Sequence, residues 1–322
     1  MPQSFKSLAR LIAGLAVVFV IVSASAFQLV NHTNGRMLSA GVEREYHVHI
    51  PESYDPATPA ALVIALHGYG QLPIQQNDLT HWSDLADEEG FIVVYPGGTY
   101  FPLRWQTGGV YEGISDPRWD IAFVSDLIDA MERQYNIDPA RIYASGLSNG
   151  AGTSFILSCT LSERIAAVGL AAGAYLYPWD VCQPERAVPA IVFHGTADER
   201  VPYDGGRAGL FRVQFPSIPR WVDTLAKNNG CDGEPHERQL PAFIAEAHYA
   251  GCQADVVFYT IEGGGHVWPG SERNTGVGAG RPHAALDATR TMWAFFQNHP
   301  LSAPSIAGRI HRASAHPLAR MN

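Results

Sequence analysis

Apolar runs alternate along the chain with segments of mixed polarity, and the two kinds of segment have different periods. Residues 61–66 form a continuous apolar run with the length of a strand that is buried on both faces. Residues 119–135 place apolar side chains on one side at helical spacing instead. The remaining predicted strands cover residues 91–95, 141–144, 166–172, 190–193 and 255–261, and the remaining predicted helices cover residues 78–89, 217–228 and 284–297. Repeated strand and helix units of this kind predict an α/β fold with a mostly parallel central sheet and helices on both faces.

The segment that precedes these units, residues 44–50, alternates apolar and polar side chains as an edge strand does. His47 and His49 would share one face of this strand, where two imidazoles are a possible start of a metal site. No third ligand lies nearby in the sequence. We therefore interpret this face as solvated and predict that the protein binds no metal.

The first 26 residues differ in composition from the chain that follows. Lys6 and Arg10 precede an uncharged apolar run, and the Ala-Ser-Ala that ends at Ala26 has the form of a signal-peptidase site. A transmembrane anchor is the alternative, but the run is short for crossing a bilayer. We expect a signal peptide over residues 1–26, a single domain over residues 27–300 and a disordered basic tail over residues 301–322. The protein is then secreted or periplasmic.

Export makes the cysteines interpretable as two disulfides, because the compartment is oxidising and their number is even. The four are Cys159, Cys182, Cys231 and Cys252, and the sequence permits three pairings of them. Zinc ligation is the alternative, but the spacings typical of zinc sites do not occur.

The net charge of the protein limits the kinds of molecule that it is expected to bind. The formal net charge is −9, and cleavage of the leader with Lys6 and Arg10 makes it more negative. A surface that binds polyanions is therefore excluded, and we predict no nucleic-acid partner. A cleaved leader also leaves no stable membrane anchor.

A strand, a sharp turn and a helix are predicted in succession around Ser148. The strand over residues 141–144 enters a Gly-Leu-Ser-Asn-Gly turn in which Gly146 and Gly150 flank the serine at two residues on either side. This G-x-S-x-G spacing is typical of a strained turn that presents a serine hydroxyl above the carboxyl end of a sheet. An ordinary glycine-rich turn is the alternative.

Two later predicted strands end in reactive side chains. The strand over residues 190–193 continues to Asp198, and the strand over residues 255–261 continues through three glycines to His266. Open parallel sheets place their active sites at the carboxyl ends of their strands, and the chain order Ser, Asp, His is that of the α/β-hydrolases. A serine hydroxyl needs a histidine to take its proton, and that histidine needs a carboxylate to orient it. Alone, Asp198 reads as a loop-capping acid and His266 as a surface residue, but their conjunction with Ser148 predicts a catalytic triad.

A glycine-rich loop, His67-Gly68-Tyr69-Gly70, leaves the carboxyl end of the central strand over residues 61–66. This position is where such folds carry one donor of the oxyanion hole, and the amide after the nucleophile is the other. We therefore predict that Asn149 and either Gly68 or Tyr69 bind the oxyanion. A tight turn without a catalytic role is the alternative for this loop.

Residues 96–118 form a long segment that lacks clear periodicity and is rich in glycine and aromatic residues. Loops of that length in a compact domain are usually functional, so we predict that it forms a wall of the substrate pocket. Trp105 and Tyr111 lie in this segment, and Trp268 follows His266 by two residues. We predict that these three aromatic side chains bind substrate, with packing of Trp268 into the core as the alternative.

These motifs together resemble those of a known esterase family. The segments concerned are residues 66–68 (Leu-His-Gly), 146–151 (Gly-Leu-Ser-Asn-Gly-Ala), 194–198 (His-Gly-Thr-Ala-Asp), 201–203 (Val-Pro-Tyr) and 263–270 (Gly-Gly-Gly-His-Val-Trp-Pro-Gly). They are similar to the family that includes polyhydroxybutyrate depolymerases, feruloyl esterases and acetylxylan esterases, from about residue 44 to 296. The resemblance implies a secreted α/β-hydrolase with Ser148 as nucleophile, Asp198 as acid and His266 as base. It also implies the local pairing, Cys159 with Cys182 and Cys231 with Cys252.

The predicted function is that of a secreted serine carboxylic-ester hydrolase that needs no cofactor and acts as a monomer. Its expected substrates are soluble esters, such as feruloyl or acetyl esters of polysaccharide, or hydroxyalkanoate oligomers. No separate binding domain is predicted in the sequence, which makes a depolymerase for polyhydroxybutyrate polymer the alternative. Two further hypotheses compete with these: a peptidase or lactonase with the same triad, and a catalytically silent secreted protein that binds polysaccharide. A silent protein would be expected to lack part of the triad.

Overall fold

The computed structural model describes residues 32–108, 116–209, 212–273 and 285–302. The predicted signal peptide and most of the predicted tail lie outside these residues. Among the described residues, no helix combines the length and the apolar character that crossing a bilayer requires.

Ten of the strands form one large sheet. Their bounds are β1 Gly35–Ser39, β2 Val42–His49, β3 Ala60–Leu66, β4 Ile92–Pro96, β5 Ile137–Leu147, β6 Ala167–Ala171, β7 Ala190–Gly195, β10 His236–Leu240, β11 Ile244–His248 and β12 Val256–Ile261. A small separate ribbon pairs β8 Gly206–Ala208 with β9 Val213–Phe215. The order in the large sheet is β1-β2-β4-β3-β5-β6-β7-β12-β11-β10. Neighbouring strands are parallel from β4 to β12 and antiparallel at both ends of the sheet.

The parallel strands in the middle of the sheet are buried throughout. Every residue of β3, β4, β6 and β7 is buried, whereas β10 at one edge is almost entirely exposed. Strands covered on both faces are expected to be continuous apolar runs, and that pattern made the central strands predictable.

Helices cover both faces of the sheet, as predicted. The helices are α1 Pro73–Thr80, α2 Trp82–Glu89, α3 Arg118–Gln134, α4 Asn149–Thr160, α5 Ile218–Asn228 and α6 Ala288–Gln297. Apolar side chains of α3, α4 and α5 belong to one buried cluster, and those of α1, α2 and α6 belong to a second cluster. The sheet therefore separates two cores in an α/β fold.

Several features differ from the sequence prediction, which included neither β1 nor the ribbon of β8 and β9. The single helix expected over residues 78–89 is two helices, because His81 has a left-handed backbone (φ 55°) that ends α1 and begins α2. The strands β10 and β11, between the last two cysteines, were not predicted. They form a hairpin that extends the sheet, and the exposed, polar sequence of β10 gives no apolar run from which to infer it.

Two disulfides join Cys159 to Cys182 and Cys231 to Cys252. This is the local pairing that the family resemblance implies. The bridged residues are 23 and 21 positions apart, so each bridge closes a short loop and is expected to contribute about 3 kcal/mol in the chain-entropy model.

Candidate active site

The three predicted triad residues follow three strands of the parallel part of the sheet. Ser148 comes directly after β5, Asp198 follows the end of β7, and His266 follows the end of β12. In the sheet these strands lie in the order β5-β6-β7-β12, with their carboxyl ends at one edge. The topology therefore brings all three residues to the same edge.

Ser148 has an unusual backbone conformation at the junction of β5 and α4. Its φ is 57° and its ψ is −115°, a region that residues other than glycine rarely occupy. A Cβ atom on Gly146 would overlap the backbone of Gly150, and a Cβ on Gly150 would overlap the carbonyl of Leu66. The glycines thus allow strand, turn and helix to cross closely enough to hold this half-buried serine above the sheet.

Asp198 and His266 form a direct hydrogen bond in a buried position. The Nδ1 atom of His266 donates to Oδ2 of Asp198 over 2.8 Å, and both side chains are almost inaccessible to solvent. The other carboxylate oxygen, Oδ1, accepts from the backbone amides of Arg200 (2.9 Å) and Val201 (2.8 Å). With Nδ1 as the donor, Nε2 is the nitrogen of His266 that can take up a further proton.

A second histidine, His194, contacts the same carboxylate, and sequence reasoning gave it no role. Its Nε2 atom lies 2.9 Å from the carbonyl oxygen of Val201 and 3.3 Å from Oδ2 of Asp198. A nitrogen between two such acceptors must carry the proton, which makes His194 a donor to Asp198. The sequence signals were its place at the end of a predicted strand and at the start of the His-Gly-Thr-Ala-Asp motif, four residues before the acid.

The two histidines determine the charge state of Asp198. Burial alone would raise the pKa of this carboxyl group, but the hydrogen bonds from His194 and His266 outweigh it and hold the pKa well below its ordinary value. Asp198 is therefore a carboxylate at any pH at which the protein is expected to work.

The loop over residues 67–70, which was predicted to carry one donor of the oxyanion hole, differs in part from that prediction. The amide of Gly68 donates to Oε1 of Gln71 over 2.7 Å, so the prediction that Gly68 binds the oxyanion is wrong for this conformation. Gly70 donates to the carbonyl of Leu103 over 2.7 Å. Tyr69 lies between these two anchored amides, which leaves it as the candidate for the second donor. The side chain of Gln71 accepts the hydrogen bond of the Gly68 amide, and the glycine-rich motif gave no indication of this contact.

Asn149 occupies the first position of α4, and its side chain supports a neighbouring loop. Its Oδ1 accepts from the amide of Trp105 over 2.8 Å, and its Nδ2 donates to the carbonyl of the same residue over 3.1 Å. The side chain is thereby engaged with the loop. The backbone amide, at the positive end of the helix, remains the predicted oxyanion donor.

His67 fixes the start of the oxyanion loop as a neutral side chain. Its Nε2 accepts from the amide of Gly98 over 2.9 Å, so Nδ1 carries the proton and donates to the carbonyl of Gly68 over 2.7 Å. Complete burial lowers the pKa of His67 to about 4, with the charge of Arg44 acting in the same direction. Protonation would cost the bond from Gly98, which links the loops after β3 and β4.

The amino-terminal half of the domain, which includes Ser148, matches a known protein family. Residues 46–179 match the model of the family described as esterase PHB depolymerase. Over this segment, which is less than half of the chain, the sequence is similar to that family of esterases. The matched segment ends before Asp198 and His266, so the family match and the contact between these two side chains are separate observations.

Two curated relatives show how the similarity is distributed. The chain is 36% identical to a bifunctional acetylxylan esterase/xylanase of Neocallimastix patriciarum over 57% of its own length, but it spans only 26% of that larger protein. It is 29% identical to feruloyl esterase C of Emericella nidulans over 83% of its own length and 86% of the relative. The second relative therefore corresponds to nearly the whole domain.

A solved structure supports the fold independently. The acetyl xylan esterase from Aspergillus awamori superposes with a TM-score of 0.56 over 72% of this chain and 93% of that one, at 14% sequence identity. At that identity the likeness establishes the α/β-hydrolase fold and nothing finer about this chain.

Two of the three aromatic side chains predicted to bind substrate are buried, so this prediction is wrong for both. Trp105 is 2% exposed and donates from Nε1 to the carbonyl of His67 over 2.9 Å. Trp268 is 1% exposed and donates to Oγ1 of Thr289 in α6 over 2.9 Å. Their indole groups hold loops together rather than face a ligand. The third, Tyr111, lies outside the described residues.

A buried ion pair anchors the first part of the long loop, residues 96–118, to β2 and α3. Nη2 of Arg44 in β2 lies 2.9 Å from Oδ1 of Asp120 in α3, and the other oxygen of Asp120 accepts from the amide of Gln106 over 2.7 Å. Burial lowers the pKa of Arg44 and raises the pKa of Asp120, against their mutual attraction. Because these residues lie far apart in sequence, no motif indicated the pair.

Proposed function

We propose that this chain is a secreted serine esterase that hydrolyses soluble esters, such as feruloyl or acetyl esters of polysaccharide or hydroxyalkanoate oligomers. The observation that carries the proposal is the buried hydrogen bond between Asp198 and His266 at the same sheet edge as Ser148 in its strained turn. The names of the relatives, feruloyl esterase and acetylxylan esterase, support the class of substrate.

In the first half of the reaction, Nε2 of His266 takes the proton of Ser148 while Oγ attacks the ester carbonyl carbon. The carbonyl π electrons move to oxygen, where the amide of Asn149 and that of Tyr69 stabilise the negative charge. When the tetrahedral intermediate collapses, the alcohol leaves with the proton from His266, and an acyl-serine ester remains.

In the second half, water donates a proton to His266 and attacks the acyl carbon. Collapse of the second intermediate returns that proton to Ser148 and releases the carboxylic acid. Asp198 stays ionised throughout and stabilises the imidazolium, a role supported by its low pKa.

The test of this mechanism is hydrolysis of p-nitrophenyl acetate by Ser148→Ala. The variant should lose about 10⁴-fold or more in kcat, because the nucleophile is absent and triad members act as a unit. Ser158→Ala is the matched control, since it removes another buried serine hydroxyl of α4 that donates only within its own helix, to Phe155. Undiminished turnover by purified Ser148→Ala would contradict the mechanism.

Secretion has a separate test. The leader over residues 1–26 is proposed to be cleaved after Ala26, so protein recovered from the medium or periplasm should begin at Phe27. N-terminal mass mapping of the exported protein measures this directly, and an intact leader on the mature protein would contradict it.

A further inference from the structure

Two exposed aromatic side chains of the described residues, Tyr100 and Trp119, line a groove on the same edge of the sheet as the candidate active site. The groove has a volume of about 570 Å³ and lies between the hairpin of β1 and β2 and the loop after β4. That volume is within the range of about 300–1,000 Å³ typical of ligand sites. Its walls include the rings of Tyr100 and Trp119, which are 57% and 49% exposed.

The position of the groove follows from the sheet order. The strand β2 is antiparallel to β4, so its first residues lie beside the carboxyl end of β4, at the edge that carries Ser148. In the sheet, β4 is separated from β5 by β3 alone. At about 4.8 Å between strands, the groove begins about 10 Å from the serine, which is within reach of a chain attached to the reacting ester.

The base of the groove contains two buried N–H groups without a hydrogen-bond partner among the described residues. They are Nε2 of Gln106 and Nε of Arg44, and the two residues are 4% and 3% exposed. Both residues line the groove. An unsatisfied buried donor costs about 1–3 kcal/mol, so an oxygen atom that reached either donor would be bound favourably.

The charges and the exposed rings of the groove together favour an uncharged ligand with ring faces and oxygen atoms. The cation of Arg44 is paired with Asp120 over 2.9 Å, and the carboxylates of Glu43 and Glu45 lie 3.6 and 3.1 Å from the guanidinium of Arg36. The guanidinium of Arg104 lies over one face of the Tyr100 ring, 4.6 Å from its centroid, so the opposite face is the one proposed for a ligand. The net charge of −9 disfavours an anionic chain. A polyester offers oxygen acceptors for the two unpartnered donors but no ring that could stack on an aromatic side chain, whereas a sugar offers both.

We propose that this groove binds the uncharged polysaccharide chain that carries the ester, with Trp119 and Tyr100 stacked on sugar rings and Gln106 bonded to a sugar hydroxyl. The inference rests on the proposed function, because it assigns the alcohol side of the ester to this groove. Stacking of a sugar on an aromatic ring buries apolar C–H surface while its hydroxyl groups stay hydrogen-bonded, which suits a wide, open groove with a polar base.

The test measures binding of unesterified xylohexaose and cellohexaose to the full chain by calorimetry. Trp119→Ala should weaken the binding of the oligosaccharide about three- to tenfold, since one stacked ring is lost. Phe243→Ala is the matched control, because Phe243 is 78% exposed in the turn between β10 and β11, at the opposite edge of the sheet. This control should bind as tightly as the wild type.

Gln106→Leu provides a second variant that separates binding from folding. It removes an unpartnered buried amide and keeps a side chain of similar size, so the melting temperature should be kept or raised. Its affinity for the oligosaccharide should nevertheless fall about threefold or more, because a hydrogen bond to the ligand is lost. Unchanged affinity in both Gln106→Leu and Trp119→Ala would overturn the proposal.

These measurements test the proposed groove and the proposed catalytic mechanism separately. Hydrolysis of p-nitrophenyl acetate without binding of either oligosaccharide would overturn the groove alone, as would binding of a hydroxybutyrate tetramer in place of the sugars. Binding of an oligosaccharide that Trp119→Ala weakens, in a chain that does not hydrolyse esters, would support the groove and contradict the proposed function. With both activities present, Trp119→Ala should lower kcat/KM more for acetylated xylohexaose than for p-nitrophenyl acetate.

Discussion

Two buried polar clusters lie on either side of β5 at the carboxyl edge of the sheet, one around Asp198 and the other around Asp120. The pKa values of these two carboxyl groups are shifted in opposite directions. On one side, hydrogen bonds from two histidines outweigh burial and lower the pKa of Asp198. On the other side, burial outweighs the attraction of Arg44 and raises the pKa of Asp120. The difference shows that a buried partner charge does not by itself decide how readily a carboxyl group ionises.

The histidines of the two clusters differ in the same way. His266 donates to a carboxylate that would stabilise its protonated form, whereas His67 accepts a backbone hydrogen bond and has its pKa lowered to about 4 by burial. One cluster is therefore suited to accepting a proton during a reaction. The other is suited to holding the loops after β3 and β4 in one arrangement.

The sharpest way to separate the clusters is to neutralise each carboxylate without changing its size. Asp198→Asn should lower kcat by about 10⁴-fold, because the amide no longer favours the tautomer of His266 that has its proton on Nδ1. Steady-state kinetics on p-nitrophenyl acetate would measure the loss, with the melting temperature as a check on folding. Activity within tenfold of the wild type would contradict the role of Asp198.

Neutralising Asp120 should affect stability instead. Asp120→Asn leaves the buried guanidinium of Arg44 without its countercharge, and breaking a buried pair in this way costs about 3–5 kcal/mol. Urea denaturation measures the loss. Replacing both partners together, as Arg44→Met with Asp120→Leu, should recover much of the stability, because no buried charge then remains. A double variant no more stable than Asp120→Asn would show that the charge of Arg44 is not the cause.

The smallest expected effect is a dependence of stability on pH that comes from His67. Its pKa is about 4 in the folded protein against an ordinary value of 6.5, so between these values the unfolded chain binds a proton that the folded chain does not. Stability should therefore fall by about 3 kcal/mol from this residue as the pH is lowered from about 6.5 to about 4. The pKa of Asp198 is also lowered, but by hydrogen bonds that stabilise its carboxylate and not by burial. The stability that this residue contributes is lost only at more acidic pH.

His67→Gln isolates that contribution, because glutamine keeps a donor and an acceptor but does not titrate. Urea denaturation at several pH values between 4 and 7 would give the free energy of unfolding of both proteins. The free energy of unfolding of the wild type minus that of the variant should fall by about 3 kcal/mol as the pH falls through this window. Parallel curves for the wild type and the variant would rule His67 out as the source.

Features that depend on a local pattern of residues could be predicted from the sequence. Continuous apolar runs predicted the buried parallel strands, and the glycines around Ser148 predicted the turn, because only a strand and a helix that cross closely need both of them. The order of Ser148, Asp198 and His266 along the chain predicted that they meet at one edge, since carboxyl ends of parallel strands meet there.

The sequence was insufficient where contacts join distant segments. Trp268 and Trp105 were predicted to face substrate because they are near the site in sequence, yet each indole nitrogen finds a buried partner in another element. Gln71 occupies the amide of Gly68, and Arg44 pairs with a residue 76 positions away. Such contacts depend on how loops pack over the finished sheet, and no period or motif encodes that.

The disulfides bear on how the chain would mature under the export proposed above. Each joins a cysteine to the next cysteine along the chain, so Cys159 can meet Cys182 before Cys231 has left the translocation channel. Oxidation that proceeds from the amino terminus therefore gives the native pairs without a shuffling step. Mispairing requires a thiol from the first loop to remain reduced until the hairpin of β10 and β11 arrives. Rapid oxidation at the channel exit should accordingly favour correct maturation, and maturation should not depend on a disulfide isomerase.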